Sequence, residues 1–548
     1  MKRTIALLAS LALAATAAHA AATKASSLTS NYITWTFDKE YETGQFVNGD
    51  WYVVGPVKIV SITNALSDET FRQADIDYHG AMINPVLEGG QDRQPGESTR
   101  ACNDRVNAHG YDSRVPHYQE ELNAALPGGK PLSKDNPIQL KPDQSLISVV
   151  SWLWKNPEDR EAGSPPVTAG PNFSRPTIRA AAVLTSLAKA PPAGTFRPSY
   201  AGNEKRLFNI SQLKRDRLRN LAPVGTVHAG PADIEEFRRT RLPAGDKNKN
   251  APPNTLPGAA DETSLYWSYN YGANLAMLAR ATARPWIDHM SSWAGSSHLR
   301  PAINVPNYGR ESNNILQTAM LALHLDWSKI PDAPATKDEL LINLCQIGID
   351  TAGCADAGSF WPPNGGHHAG RKPIILFAGL LLDDPHMKNV GHWKTYFQDD
   401  LQLLYITERQ VEHTNSDAWK PDMRSKHLAP YTKEMIGMPE WVGNNAGWNM
   451  PYRGINIVYI TGFALTFLIM EDGRKLWNRD VLFDYADRAN GAIDEASKLW
   501  ANRPPAFVQA MWDTYRKDYP STYDKKWEDE KLIEIFLTTK EEWEERKK

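Results

Sequence analysis

The chain has 548 residues, is 41% apolar and 23% charged, and carries a formal net charge of −3. That length exceeds what a single hydrophobic core usually serves, so two or more domains are expected. The nearly balanced charge, without basic runs, argues against nucleic acid or an anionic membrane surface as a partner.

In chain order, residues 1–20 have the layout of a secretory leader. Lys2 and Arg3 form the charged start, Ile5 to Ala15 the apolar stretch, and Ala18-His19-Ala20 the small-residue cleavage site. A secreted or periplasmic mature protein is expected. The nearest approach to a membrane span is Ile455 to Met470, which Asn456, Tyr459, Thr461 and Thr466 interrupt and which falls short of ~18 apolar residues. Cys102, Cys345 and Cys354 are too few for a disulfide framework or a Cys-based zinc site, although Cys345 and Cys354 are spaced to pair across an eight-residue loop.

Residues 21–241 read as a β-rich N-terminal domain. Ile33 to Phe37, Trp51 to Val54, Val57 to Thr63, Leu146 to Trp152 and Thr177 to Leu187 are β-branched or aromatic runs, separated by turns such as Val47-Asn48-Gly49-Asp50. A sandwich-like arrangement is expected. Gly44 to Trp51 reads either as a hairpin or as a loop reaching over a site in the second domain. Arg206 to Arg219 and Asp233 to Arg241 are charged and read as bridging helices. Residues 242–262 form a polar linker with four Pro between Leu242 and Gly258.

From 263 to 548 the pattern is helical, with apolar helices expected at about 265–281, 312–326, 372–382, 393–411, 454–470, 479–501 and 505–518. Helices apolar all round (372–382, 454–470) alternate with amphipathic ones (393–411, 479–501). That alternation predicts an all-α (α/α) toroid or incomplete barrel, with inner helices wrapped by outer ones. Three polar clusters lead into the three most apolar helices: Asn307 to Asn314, Asn364 to Lys372, and Glu440 to Arg453. If the three helices share a direction, the clusters meet at one end, where free N–H groups and the helix dipole favour an anion.

The residue types in these clusters suit β-elimination from a uronic-acid polymer. Amides or cations must mute the uronate carboxylate while the adjacent proton leaves, and a base and an acid must handle the protons. Asn313 and Asn314 supply amides, or else cap a helix. His367 or His368 supplies an imidazole, Arg371 and Arg453 supply bidentate donors, and Tyr452 a phenol. Tyr308, Arg310, Asn445, Trp441 and Trp448 are candidate sugar contacts, and 18 Trp in the chain provide broad faces for sugar rings. No His pair has helix-face metal spacing, and neither a metal nor a cofactor is expected.

Asn313-Asn314, His367-His368 with Arg371, and Tyr452-Arg453 together resemble the active-site set of toroid-type polysaccharide lyases such as the alginate and glucuronan lyases. The resemblance spans scattered motifs within about 300–460. It implies an exported carbon–oxygen lyase acting on a uronate polysaccharide. The sequence departs from that pattern in having Ile315 where the alginate lyases have His, and in placing its β-rich part first. Two alternatives stay open. One is a toroidal glycoside hydrolase using Glu311 and Glu440, since Asp383 and Asp384 fall at the far end of their helix. The other is a non-catalytic glycan-binding protein.

Overall fold

The structure is a computed structural model, and it describes residues 23–64, 76–85, 132–153, 177–225, 227–229, 273–283, 285–287, 300–301, 309–361, 368–417, 430–441, 450–491 and 504–520. The expected leader, the Pro-rich segment 242–262, residues 233–241 and Cys102 lie outside them.

The N-terminal part forms one mixed sheet. Its strands are β1 (Thr23–Ser30), β2 (Ile33–Gln45), β3 (Trp51–Val54), β4 (Val57–Asn64), β5 (Ile76–Ile83), β6 (Ile138–Leu140), β7 (Gln144–Leu153) and β8 (Thr177–Leu187). Their hydrogen-bonded order is β5-β7-β8-β3-β2-β4-β6, with β1 on β2; all pairs are antiparallel except β3 with β8. Strands β6 and β7 are three residues apart in the chain yet lie towards opposite ends of that order, so the sheet must curl back on itself. The expected two-sheet sandwich is therefore replaced by a single, nearly closed sheet.

Period-two alternation sends one set of side chains inward. Leu28, Trp35, Phe37, Val53, Ile59, Leu146, Ala182 and Leu184 fill the interior, where Trp35 donates its indole N–H to Ser148 Oγ at 2.9 Å. The next residues along the same strands, Ile147, Ala181 and Val183, face out and belong to the main core of the helical half. The two halves thus share a buried interface.

Among the described residues, the helices of eight residues or more are α1 (Leu275–Thr282), α2 (Gly309–Leu323), α3 (Lys337–Asp356), α4 (Arg371–Leu382), α5 (Met450–Ile469), α6 (Val481–Gly491) and α7 (Ala506–Tyr515). The all-α toroid expected from the sequence is not what they form. The outer helix expected at 393–411 is instead a 3₁₀ turn at Asn389–His392, a single helical turn at Gln398–Leu401, a strand at Leu403–Tyr405 and a short helix at Glu408–Thr414. The strand is favoured because Leu403 to Thr407 is dense in aromatic and β-branched residues, and it pairs with Pro439–Trp441. Helix α6 covers part of the expected 479–501, whose remainder from 492 lies outside the described residues. Arg206 to Arg219 contains only 3₁₀ turns at Ile210–Gln212 and Arg215–Arg217, not a bridging helix.

Helix α3 has no counterpart among the expected helices. Its Asn343, Gln346, Asp350 and Thr351 look like a solvent face, but all are buried. Asp350 takes a bidentate pair from Arg197 at 2.8 and 2.5 Å, and Gln346 donates to the Arg197 carbonyl. Arg197 also binds Asp50 at 2.5 Å, at the end of the turn between β2 and β3. The Gly44–Trp51 segment is therefore a hairpin, and its turn is anchored on α3. Burial opposes the Arg197 charge, but Asp350 and Asp50 outweigh that and raise its pKa, so the guanidinium stays cationic. Cys345 and Cys354 are both buried and not joined in a disulfide; they lie nine residues apart on this helix, a separation along the axis that a disulfide does not span.

A strap formed by residues 214–221 fixes the direction of three helices. Lys214 N–H donates to Leu381 O in the last turn of α4. Arg219 N–H donates to His324 Nδ1 and Leu221 N–H to His324 O, just past the end of α2. Arg219 Nε reaches Ile469 O, the last residue of α5, and Arg217 reaches Glu471 O beyond it. With their C-termini gathered under one strap, α2, α4 and α5 run the same way, and their first turns lie at the other end.

Replacing Arg197 with Met should destabilise the chain by roughly 3–5 kcal/mol, because it strands two buried carboxylates. Denaturant unfolding followed by both tryptophan fluorescence and circular dichroism checks this. A midpoint equal to wild type would show that the triad does not hold the two halves together.

Candidate active site

The shared end of α2, α4 and α5 gathers several of the residues singled out from the sequence. Helix α2 starts at Gly309, so Asn313 and Asn314 lie in its second turn and cap nothing. Asn313 is fully buried, and neither its Nδ2 nor its Oδ1 has a hydrogen-bond partner among the described residues. A buried amide left that way costs on the order of 1–3 kcal/mol per group. Its neighbour is the entry to α4: a Cβ on Gly370 would overlap the Asn313 amide. Gly370 also has φ 92°, a left-handed conformation that glycine tolerates best. The glycine is thus demanded twice, by the backbone and by the close approach of α2.

Asn314 serves α5. Its Oδ1 accepts from Gln317 Nε2 at 2.9 Å, and the same Nε2 donates to Val458 O at 2.6 Å. Gln317 Oε1 accepts from Gly462 N–H at 3.0 Å. Val458 O and Gly462 N–H are the two groups an α-helix ordinarily pairs with each other, so the Gln317 amide is inserted into the ladder of α5. Gly462 leaves the room that this requires.

The loop leading into α4 carries His368, and the helix opens on Arg371; both are buried. Arg371 Nη1 donates to Ala369 O at 2.8 Å. The loop is gripped by the single turn Gln398–Leu401. Gln398 Oε1 accepts from His368 N–H at 2.9 Å, and Asp399 accepts from Gly370 N–H through both oxygens at 3.0 and 3.1 Å. The anion at the mouth of α4 is therefore the chain's own Asp399. Burial pushes the Asp399 pKa up to about 6; Gly370 N–H, Lys372 and Arg371 lower it, and Asp400 raises it. Lys372, with no exposed side chain, pairs with Asp400 at 2.6 Å and lies 4.3 Å from the centre of the Trp477 ring. Burial lowers its pKa despite Asp400.

Gln398 and Asp399 were invisible as site residues in the sequence, because 393–411 read as a helix whose polar face would simply be solvated. The only signal was the Gln-Asp-Asp run itself. Tyr452 and Arg453 lie in the first turn of α5, and Arg310 and Glu311 in that of α2; their side chains lie outside the description, as do His367, Tyr308, Asn445 and Trp448 altogether.

Trp441, a candidate sugar contact, and Glu440, one carboxylate of the hydrolase alternative, are both buried. Trp441 is 2% exposed, inside the strand Pro439–Trp441, and offers no face to a sugar. Glu440 is fully buried, accepts from Trp441 N–H at 2.9 Å and pairs with Arg488 at 3.2 Å. Asp383 caps the far end of α4, and Asp384 accepts from Met387 N–H there. Among the described residues no group of three or more His, Cys, Asp or Glu is placed to hold a metal, and no helix is long and apolar enough to cross a membrane.

Comparison of the chain with protein-family models, curated proteins and solved structures finds no match.

Gly370→Ala should destabilise by about 1–3 kcal/mol through its left-handed φ and its overlap with Asn313. In a double-mutant cycle, Asn313→Ala should relieve part of that loss, since it removes the atoms the new methyl meets. Strict additivity in urea unfolding would separate the two residues.

Proposed function

We propose that the chain is an exported polysaccharide lyase that cleaves a uronate-containing glycan by β-elimination at the common end of α2, α4 and α5. The carrying observation is the buried Asn313 amide, without a partner among the described residues, set against the loop that bears His368 and leads into Arg371. A uronate carboxylate needs donors that hold the charge developing as the neighbouring proton leaves, in a site shielded from water. Asn313 Nδ2 and the Arg371 guanidinium are donors of that kind. His368, with Tyr452 in the first turn of α5, supplies the acid and base roles. The leader at 1–20 supports export, and the substrate is the partner this reading requires.

The hydrolase alternative needs two free carboxylates across the scissile bond. Glu440, one of its proposed pair, is committed to Arg488 and the Trp441 N–H, which favours elimination. A purely glycan-binding role is disfavoured by the burial of Trp441.

The purified mature chain should release ultraviolet-absorbing unsaturated uronates from an acidic polysaccharide. Reducing ends without that absorbance would support the hydrolase, and neither signal across a broad glycan panel would support a binder. Asn313→Ala, His368→Ala and Tyr452→Phe should each lower turnover ~10²-fold or more. Wild-type turnover in all three would remove the site.

A further inference from the structure

Asp399 holds the site loop through the backbone of that loop. It is almost fully buried, and both of its oxygens lie within hydrogen-bond distance of one N–H, that of Gly370. One residue earlier, Gln398 holds His368 N–H. The two acceptors come from adjacent residues of a single turn, whose backbone is set in turn by Trp361. Trp361 N–H bonds Tyr396 O at 2.7 Å, and the Trp361 ring stacks on Phe397 at 5.6 Å. The loop from His368 to Gly370 is therefore suspended between this turn on one side and Asn313 on the other.

We infer that Asp399 is a positioning residue: as a carboxylate it locks the left-handed turn at Gly370 and so fixes the loop that carries His368 where Gly370 meets Asn313, and on protonation it releases that loop. The role in turnover rests on the lyase reading; the lock itself does not. The charged and titratable groups around Asp399 are Asp400 on its own turn, Lys372 and Arg371 on α4, and His368 on the loop it holds; Arg479 in turn faces Lys372 and Asp400. A hydrogen bond to a carboxylate is stronger than one to the neutral acid, so the lock tightens as pH rises. The Asp399 pKa, pushed up to about 6, puts the change near that pH.

Hydrogen–deuterium exchange of the peptide spanning His368 to Gly370, corrected for the intrinsic pH dependence of exchange, tests the lock in the full chain without substrate. Protection should fall about tenfold between about pH 7.5 and about pH 5, the difference between a charged and a neutral hydrogen bond. In the isosteric Asp399→Asn variant it should be independent of pH, whereas in His368→Gln the transition should persist. Constant protection in wild type, or an unchanged transition in Asp399→Asn, would overturn the inference. If the chain eliminates uronates, the acidic limb of its kcat profile should lie near pH 6 and vanish in Asp399→Asn, with KM less affected. An inactive chain with the pH-dependent lock intact defeats the lyase reading alone, and an active chain without the lock defeats this inference alone.

Discussion

The pairing of Arg197 with Asp50 and Asp350 is the constraint on which the arrangement of the two halves depends. A guanidinium with no exposed surface is tolerable only where carboxylates meet it, and these come from a hairpin turn and from the middle of α3. Once formed, the triad admits one placement of the curled sheet against the helices. The outward-facing Ile147, Ala181 and Val183 then complete the same core as Leu344 and Ile347. It also explains how α3 buries so many polar residues: Gln346 and Asp350 are neighbours on its sheet-facing side because both address Arg197.

The second constraint is the strap 214–221, which spends backbone hydrogen bonds on the ends of three helices. Helix C-termini carry unpaired carbonyls, and the strap supplies donors to Leu381, His324, Ile469 and Glu471 in one pass. With those ends satisfied together, the first turns of α2, α4 and α5 gather at the other end, where amides, an imidazole and cations from remote parts of the chain meet. The Gln317 amide inside the ladder of α5 locks the register between α2 and α5.

Much of the β-rich part was legible because a strand buried on alternate faces leaves period two in its sequence, and β2, β3, β4, β7 and β8 all contain the runs expected of them. Helices α4 and α5 were legible because residues apolar all round must be buried all round, and every residue of α4 is. What failed has a common cause: polar side chains committed to buried partners look in sequence like a solvated face. Asp350 and Gln346 concealed α3. Gln398 and Asp399 made 393–411 resemble the outer helix of a toroid, when they were needed as acceptors for a loop 30 residues earlier. Glu440 looked like a catalytic acid because Arg488, its partner, lies 48 residues away. Asn313 and Asn314 were legible as unusual, yet only the structure separates them: Asn314 completes a helix contact, and Asn313 is left over.

Two features of this end of the molecule work against folding. The Asn313 amide is buried without partners among the described residues, and Asp399 is buried where the fold prefers it protonated. For a carboxyl whose folded pKa is raised, the stabilising contribution is complete below the ordinary carboxylate range and is lost as pH rises through about 6. At neutral pH the chain therefore holds an ionised Asp399 at a cost in stability. A protonated carboxyl or a plain amide at 399 would accept from Gly370 N–H more weakly, so the charge that costs global stability is the one that holds the turn. Leu or Met at 313 would likewise fill its space without orphaned polar atoms. Both unfavourable groups meet at one glycine, on the loop that carries His368. Local rules broken together at one place are what a site shaped for a ligand leaves behind.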